Sequence, residues 1–245
     1  MPPVLPTLPA DTPLYLVAAS RGQAAHFSRA SLLGQSLAGF PAALRPQLLL
    51  KAANEGPHAA GLPRIYNQAI SRLPAQGIVV FLHDDLFLHD WHLAARLQEA
   101  LEHFDLVGLV GCVQAPDDQP SWGFSLDDAG QPQRCSNQPA SGCLNHFDPL
   151  RPEPVSYGPA PSACRLLDGV FLALRLETLH RTGLRFDEQF RFHCYDGDFC
   201  RSAEALGLRT GTWPIACTHG SPGAFGSSWR EQALLWRQKW CSIAT

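Results

Sequence analysis

The chain has 245 residues, 45% of them hydrophobic, and a formal net charge of -3. That length and apolar content suit one α/β domain with a large core. The charge argues against a nucleic-acid surface and against a polybasic membrane patch. Positions 1–13 hold five prolines and no basic stretch followed by an apolar one, so they read as a flexible leader and not as a signal peptide. No apolar run reaches the length of a transmembrane helix, which gives a cytoplasmic expectation with a peripheral membrane contact left open. The eight cysteines of a chain this size without an export signal read as free thiols. Cys135, Cys143, His146 and Cys164 are the one set worth weighing as a zinc site, and their spacing matches no compact ligand pair.

Taken in chain order, Leu14 to Ala19 is a short apolar strand, and a helix follows over 22–37 with Ala25, Arg29, Leu32, Leu33 and Leu37 near helical spacing. Positions 47–52 read as a strand ending at Asn54-Glu55-Gly56, and 62–73 as a helix. Ile78 to Leu82 is apolar without alternation, the pattern of a strand buried on both faces. Asp90 is placed to cap a helix over 91–104, with Leu93, Leu97 and Leu101 on one face. A strand is expected over 106–112. Residues 113–164 are rich in Pro, Gly, Gln and Ser with weak periodicity, the signature of a functional loop or lid, or of a passive surface insertion. Beyond it come a strand over 165–174 interrupted at Asp168-Gly169, helices over 176–182 and 196–206, a strand over 208–217 and a closing helix over 227–240.

Alternation of this kind predicts a single Rossmann-like α/β domain over 14–245, with a mostly parallel central sheet flanked by helices. Ligands of such sheets sit beyond the carboxyl ends of the strands, which places Ser20, Asn54 and His83 to Asp85 on one rim. Alternate strand residues share a side, so His83 and Asp85 face one way and Asp84 the other. A metal on this rim would meet Asp85 and, from the same side, His83. Oxygen ligands favour Mg²⁺ or Mn²⁺, and a histidine tilts the choice toward Mn²⁺. The plainer reading is that Asp84 and Asp85 end a strand and open a turn.

Asp196 sits where a helix N-cap belongs and Asp198 lies in the first turn. Two positions along a helix differ by about 200° in azimuth, so one carboxylate faces the rim while the other caps or packs. A carboxylate at a helix start is expected to stay ionised at neutral pH, which suits a base. Trp122 offers a plate on which a sugar ring can stack, although a tryptophan beside glycine is more often packing.

The runs Gly61-Leu62-Pro63-Arg64-Ile65-Tyr66-Asn67-Gln68-Ala69, Val79-Val80-Phe81-Leu82-His83-Asp84-Asp85 and Leu167-Asp168-Gly169-Val170-Phe171-Leu172-Ala173 together resemble the family-2-like glycosyltransferases of the A-type fold. So do Phe186-Asp187-Glu188, Tyr195-Asp196-Gly197-Asp198-Phe199-Cys200-Arg201, Leu206-Gly207-Leu208 and Thr218-His219-Gly220-Ser221. The resemblance runs from Leu14 to Trp240. It implies an inverting transfer from a nucleotide-diphosphate sugar, UDP-sugar first, to a hydroxyl of a carbohydrate or glycoconjugate, with Mn²⁺ or Mg²⁺ as cofactor.

In the terms of that resemblance, Asp85 matches the final aspartate of the family's Asp-x-Asp metal motif, and His83 stands in place of the first. His219 matches a position that completes the metal shell. Asp196 matches the catalytic base, with Tyr195 where a glutamate is common. Ser20 and Asn54 border the nucleotide base, Arg64 approaches the diphosphate, and His83 and Asp84 belong to the donor side. Asp168 and Gly169 face the acceptor, joined there by Trp122 and Asp198. Two rival classes stay open: a metal-dependent nucleotidyltransferase or phosphohydrolase, and a noncatalytic carbohydrate-binding relative.

Overall fold

The computed structural model describes residues 12–221 and 223–241; the expected leader lies outside them except for Thr12 and Pro13. Strand β1 (Leu14–Ala19) leads through a single 3-10 turn to α1 (Phe27–Ala30) and α2 (Leu32–Gly39), where the sequence predicted one helix. The break is at Ser31, which is extended (φ -106°, ψ 149°) and whose hydroxyl accepts from Gly34 N at 2.9 Å. Serine competes with the helix backbone for hydrogen bonds, so it serves better as a cap than inside a helix. Then follow β2 (Gln47–Lys51), α3 (Leu62–Ile70), β3 (Ile78–Leu82), β4 (Leu86–Leu88) and α4 (Leu93–His103). Asp90 is not the cap of α4: His92 holds that position, and Asp90 Oδ1 accepts from its N–H at 2.8 Å.

The expected strand over 106–112 is two strands, β5 (Leu106–Gly108) and β6 (Val110–Cys112). The stretch expected to lack structure holds β7 (Phe124–Leu126), β8 (Pro132–Arg134), β9 (Ala140–His146), β10 (Glu153–Gly158) and β11 (Ser162–Ala163). The chain closes with β12 (Leu166–Leu167), β13 (Phe171–Arg175), α5 (Leu176–Thr182), α6 (Tyr195–Ala205), β14 (Thr210–Thr212), β15 (Cys217–His219) and α7 (Ser227–Cys241).

These strands make a seven-stranded sheet ordered β11-β14-β5-β13-β3-β1-β2, a six-stranded sheet in which β12-β6-β9-β15-β4 carries β10 on β9, and the small β7-β8 hairpin. The fold is therefore mixed α/β, and the expected single, mostly parallel sheet is corrected on two counts. In the larger sheet β1 runs parallel to β2 and β3, and β14 to β5, but β13 is antiparallel to both its neighbours. The second sheet arises because strands of the first carry on past its rim: β3 continues into β4, β5 into β6, and β12 leads into β13.

Helices cover both faces of the larger sheet. Along β3, Ile78, Val80 and Leu82 face the core against α2 and α4, while Val79 and Phe81 face the core against α3, α5, α6 and α7. All five are fully buried, which explains why the run shows no polar alternation. No helix among the described residues is long and apolar enough to cross a membrane.

The closing helix is fastened through a buried charge. Lys239 Nζ lies 2.6 Å from Asp198 Oδ1 and 2.7 Å from Asp187 Oδ2, and Trp240 Nε1 donates to Asp198 Oδ1 at 2.9 Å. Burial raises the Asp198 pKa and Lys239 opposes it. Removing one partner of a buried pair leaves an uncompensated charge, so Lys239→Met should cost about 3 kcal/mol of unfolding free energy. Denaturant titration reads this directly, and an unchanged midpoint would mean that the pair contributes nothing in solution.

Candidate active site

The candidate site forms where the two sheets part. A cavity of about 1010 Å³ opens there, at the upper end of the range for small-molecule sites. Ser20 follows β1, Asn54 follows β2, and His83, Asp84 and Asp85 occupy the link from β3 to β4. Because β13 runs antiparallel to β3, with Phe171 opposite Leu82, its entry residues Asp168 and Gly169 reach the same rim. The first turn of α6 brings Tyr195 and Asp196, and the end of β15 brings His219.

On one side stand His83, Asp85 and His219, whose ligating atoms lie within 4.8 Å of one another. Asp85 Oδ1 is 3.4 Å from His219 Nε2 and 3.9 Å from His83 Nδ1. Burial pushes the Asp85 carboxyl up, but the hydrogen bond with His219 and the two imidazole charges outweigh it and hold the group well below the usual carboxylate range. Burial likewise works against charge on His219, and Asp85 overrides it and raises the imidazole. His83 is lowered, first by burial. Two imidazoles around one ionised carboxylate are a donor set that fits a divalent transition metal. Among the described residues this is the group of three at metal-ligand spacing; Cys135, Cys143, His146 and Cys164 do not form one.

On the other side are two carboxylates. Asp196 is not the N-cap of α6, since Cys194 holds that place in a left-handed conformation (φ 57°). Asp196 Oδ2 accepts from Gly169 N at 3.0 Å. Asp168 is tied at both oxygens, Oδ2 to Trp122 Nε1 at 2.7 Å and Oδ1 to Val170 N at 2.8 Å. Burial first, then the charge of Asp168, raise the Asp196 pKa to about 7 against the backbone N–H groups that lower it. The expectation of a carboxylate fully ionised at neutral pH is thereby corrected: a helix start stabilises the anion, but desolvation and a like charge prevail.

Gly169 docks this helix to the rim. Its N–H serves Asp196 and its carbonyl accepts from the Tyr195 hydroxyl at 2.9 Å. A Cβ there would lie 2.5 Å from the Tyr195 oxygen and 2.9 Å from the Asp196 Cβ, so only glycine allows the approach.

Of the residues expected at the site, Ser20, Asn54, His83, Asp84, Asp85, Trp122, Asp168, Gly169, Asp196 and His219 line the cavity. Asn54 does so with its amide engaged, since Nδ2 donates to Ala60 O and Oδ1 accepts from Ala60 N, both at 2.9 Å. Arg64 and Asp198 are not brought to it. Arg64 projects from the exposed side of α3, and Asp198 is buried against Lys239. The rotation that points Asp196 at the rim turns Asp198 into the core, as their azimuths require.

The cations that do reach the cavity are Arg21 and Arg191. Arg21 follows Ser20, and the rim rule that selected Ser20 extends to it. Arg191 sits in the irregular stretch before α6, and no local pattern marks it. Phe192 beside it stacks on His83 with centroids 5.8 Å apart and planes at 19°.

No protein-family model matches the sequence, and none of the curated proteins compared with it does. Among solved structures the chain is similar to the crystal structure of A197 from STIV, with 82% of each chain covered, 10% identity and a TM-score of 0.42. A likeness that distant carries no argument about activity, so the functional reading stands on the site itself.

Proposed function

We propose that the chain is an inverting glycosyltransferase, moving a sugar from a nucleotide-diphosphate sugar, UDP-sugar first, to a hydroxyl of a carbohydrate or glycoconjugate. The observation that carries this reading is that a metal-capable His83, Asp85 and His219 group and a carboxylate of raised pKa, Asp196, open on one cavity. The donor lies with its diphosphate toward Asp85, His83 and His219, with Arg21 and Arg191 as the nearby cations in place of Arg64. Those three residues would hold Mn²⁺ or Mg²⁺, which when bound would neutralise negative charge on the departing diphosphate.

Asp196 takes the proton of the acceptor hydroxyl as its oxygen bonds to the anomeric carbon. The bond from that carbon to the diphosphate oxygen breaks on the opposite face, so the configuration inverts. A base with a pKa near 7 is matched to neutral pH. Asp168, held by Trp122, faces Asp196 and sets its charge environment, while alignment of the two substrates supplies much of the rate. Free thiols at the eight cysteines suit a reducing, cytoplasmic setting.

A thermal-shift screen of nucleotide-diphosphate sugars, each with Mn²⁺ and with chelator, tests the reading. Metal-dependent stabilisation by at least one donor, followed by release of nucleoside diphosphate when acceptors are added, is the expected result. Release of pyrophosphate or inorganic phosphate would instead assign the site to nucleotidyl transfer or phosphate hydrolysis, and binding without turnover would make it a carbohydrate-binding relative.

A further inference from the structure

We infer that Tyr195 is a positioning residue of the metal-capable group. It fixes His83 in the tautomer whose Nδ1 lone pair faces Asp85, and so readies that nitrogen for a divalent transition metal. The inference rests on the metal-binding half of the function proposed above and not on sugar transfer.

The hydrogen bonds around the phenol decide the tautomer. Tyr195 has one hydroxyl proton, and a carbonyl oxygen can only accept, so the bond of 2.9 Å to Gly169 O uses that proton. The same oxygen lies 3.0 Å from His83 Nε2. It can only accept there, so Nε2 carries the hydrogen and Nδ1 of the neutral ring carries the lone pair. That nitrogen is the one 3.9 Å from Asp85 Oδ1, and the same carboxylate oxygen is 3.4 Å from His219 Nε2. Ser221 Oγ sits 3.3 Å from that His219 nitrogen.

The geometry is held from several directions. Tyr195 is 3% exposed, its oxygen fits only because residue 169 has no side chain, and Phe192 stacks on the face of the His83 ring. An outer partner that orders a ligating imidazole is a recurrent feature of metal sites, and its loss weakens metal affinity by about 10- to 100-fold. Mg²⁺ favours oxygen ligands and retains its water, whereas imidazole favours later divalent metals.

Nitrogen-15 spectra of the histidine rings in the metal-free chain, with His83 assigned by its absence in His83→Asp, test the tautomer without any variant of Tyr195. Protonation at Nε2 is expected; protonation at Nδ1 overturns the inference. Calorimetric titration with MnCl₂ and MgCl₂ then compares the wild type, Tyr195→Phe, His83→Asp and the double variant. The wild type should bind Mn²⁺ more tightly than Mg²⁺, and Tyr195→Phe should weaken Mn²⁺ by about 10- to 100-fold. An aspartate at position 83 has no tautomer to fix, so Tyr195→Phe should cost little in that background. Equal losses in both backgrounds would reduce Tyr195 to a structural role and overturn the inference, as would a wild type that binds neither ion. A wild type with the expected tautomer and metal preference but no sugar transfer would overturn the proposed activity alone.

Discussion

Asp196→Asn is expected to reduce sugar transfer by about a hundredfold or more while donor binding persists, the scale on which a positioned base contributes. Asparagine keeps the size of the side chain and an oxygen that can accept the Gly169 N–H now bonded to Asp196 Oδ2 at 3.0 Å. It cannot take a proton. Near-normal turnover by this variant, measured with any donor and acceptor found by screening, would remove Asp196 from the base position. Asp198→Asn is not an equivalent control, because that carboxylate faces Lys239 in the core and its loss is read in stability.

The pH dependence follows from the same group. A base with its pKa raised to about 7 is active only when ionised, so kcat/KM should fall on the acid side of about pH 7. Asp168 is a cause of the elevation, and Asp168→Asn should move that limb to lower pH. Stability has the opposite sign. The folded pKa lies above the ordinary carboxylate range, so the folded chain holds the proton longer than the unfolded one. That contribution is complete below the unfolded pKa and disappears as pH rises through about 7. Wild-type stability should therefore decline between those limits by an amount absent from Asp196→Asn, a difference that chemical denaturation at several pH values resolves.

Part of this site is legible in the sequence. The rim rule places His83 to Asp85 just beyond β3, but strand alternation is not what brings His83 and Asp85 together: β3 ends at Leu82, and Asp84 and Asp85 form a turn, as the plainer reading has it. Helical azimuth requires Asp196 and Asp198 to part, but it does not decide which one meets the cavity, and Asp198, expected on the acceptor side, is buried against Lys239. The second sheet was not legible. β9, at its centre, reads Ala-Ser-Gly-Cys-Leu-Asn-His, and β10 is mostly exposed, so neither shows the apolar alternation that marks a strand. Their pairing is fixed by long-range partners, with β9 between β6 and β15. The raised pKa of Asp196 escaped for a related reason. Helix position is written in the neighbouring residues, whereas burial comes from the whole fold and the charge of Asp168 from the link between β12 and β13. Arg191, likewise, has no local signature; the stretch between α5 and α6 is held beside the start of α3, where Leu62 N donates to Arg191 O at 2.7 Å.

Asp85→Ala should abolish the metal-dependent part of nucleoside diphosphate binding. The carboxylate is the only anion of the three-residue group, and both imidazole nitrogens lie within 3.9 Å of its Oδ1. Losing it removes a ligand and the charge that draws a cation between two imidazoles, so Mn²⁺ affinity should fall by more than the 10- to 100-fold typical of an outer partner, about a hundredfold or beyond. Calorimetry on the wild type should show a nucleoside diphosphate binding more tightly with Mn²⁺ than with chelator. The variant in Mn²⁺ should match the wild type in chelator. Equal wild-type affinities in the two conditions would defeat the metal-dependent reading. A second consequence appears without metal or nucleotide. The Asp85 carboxyl is held below its ordinary range, so its contribution to stability is present above the unfolded pKa and lost as pH falls through the folded one. Asp85→Ala should erase that acid-side loss, which separates a carboxylate held by His83 and His219 from one that merely ends a strand.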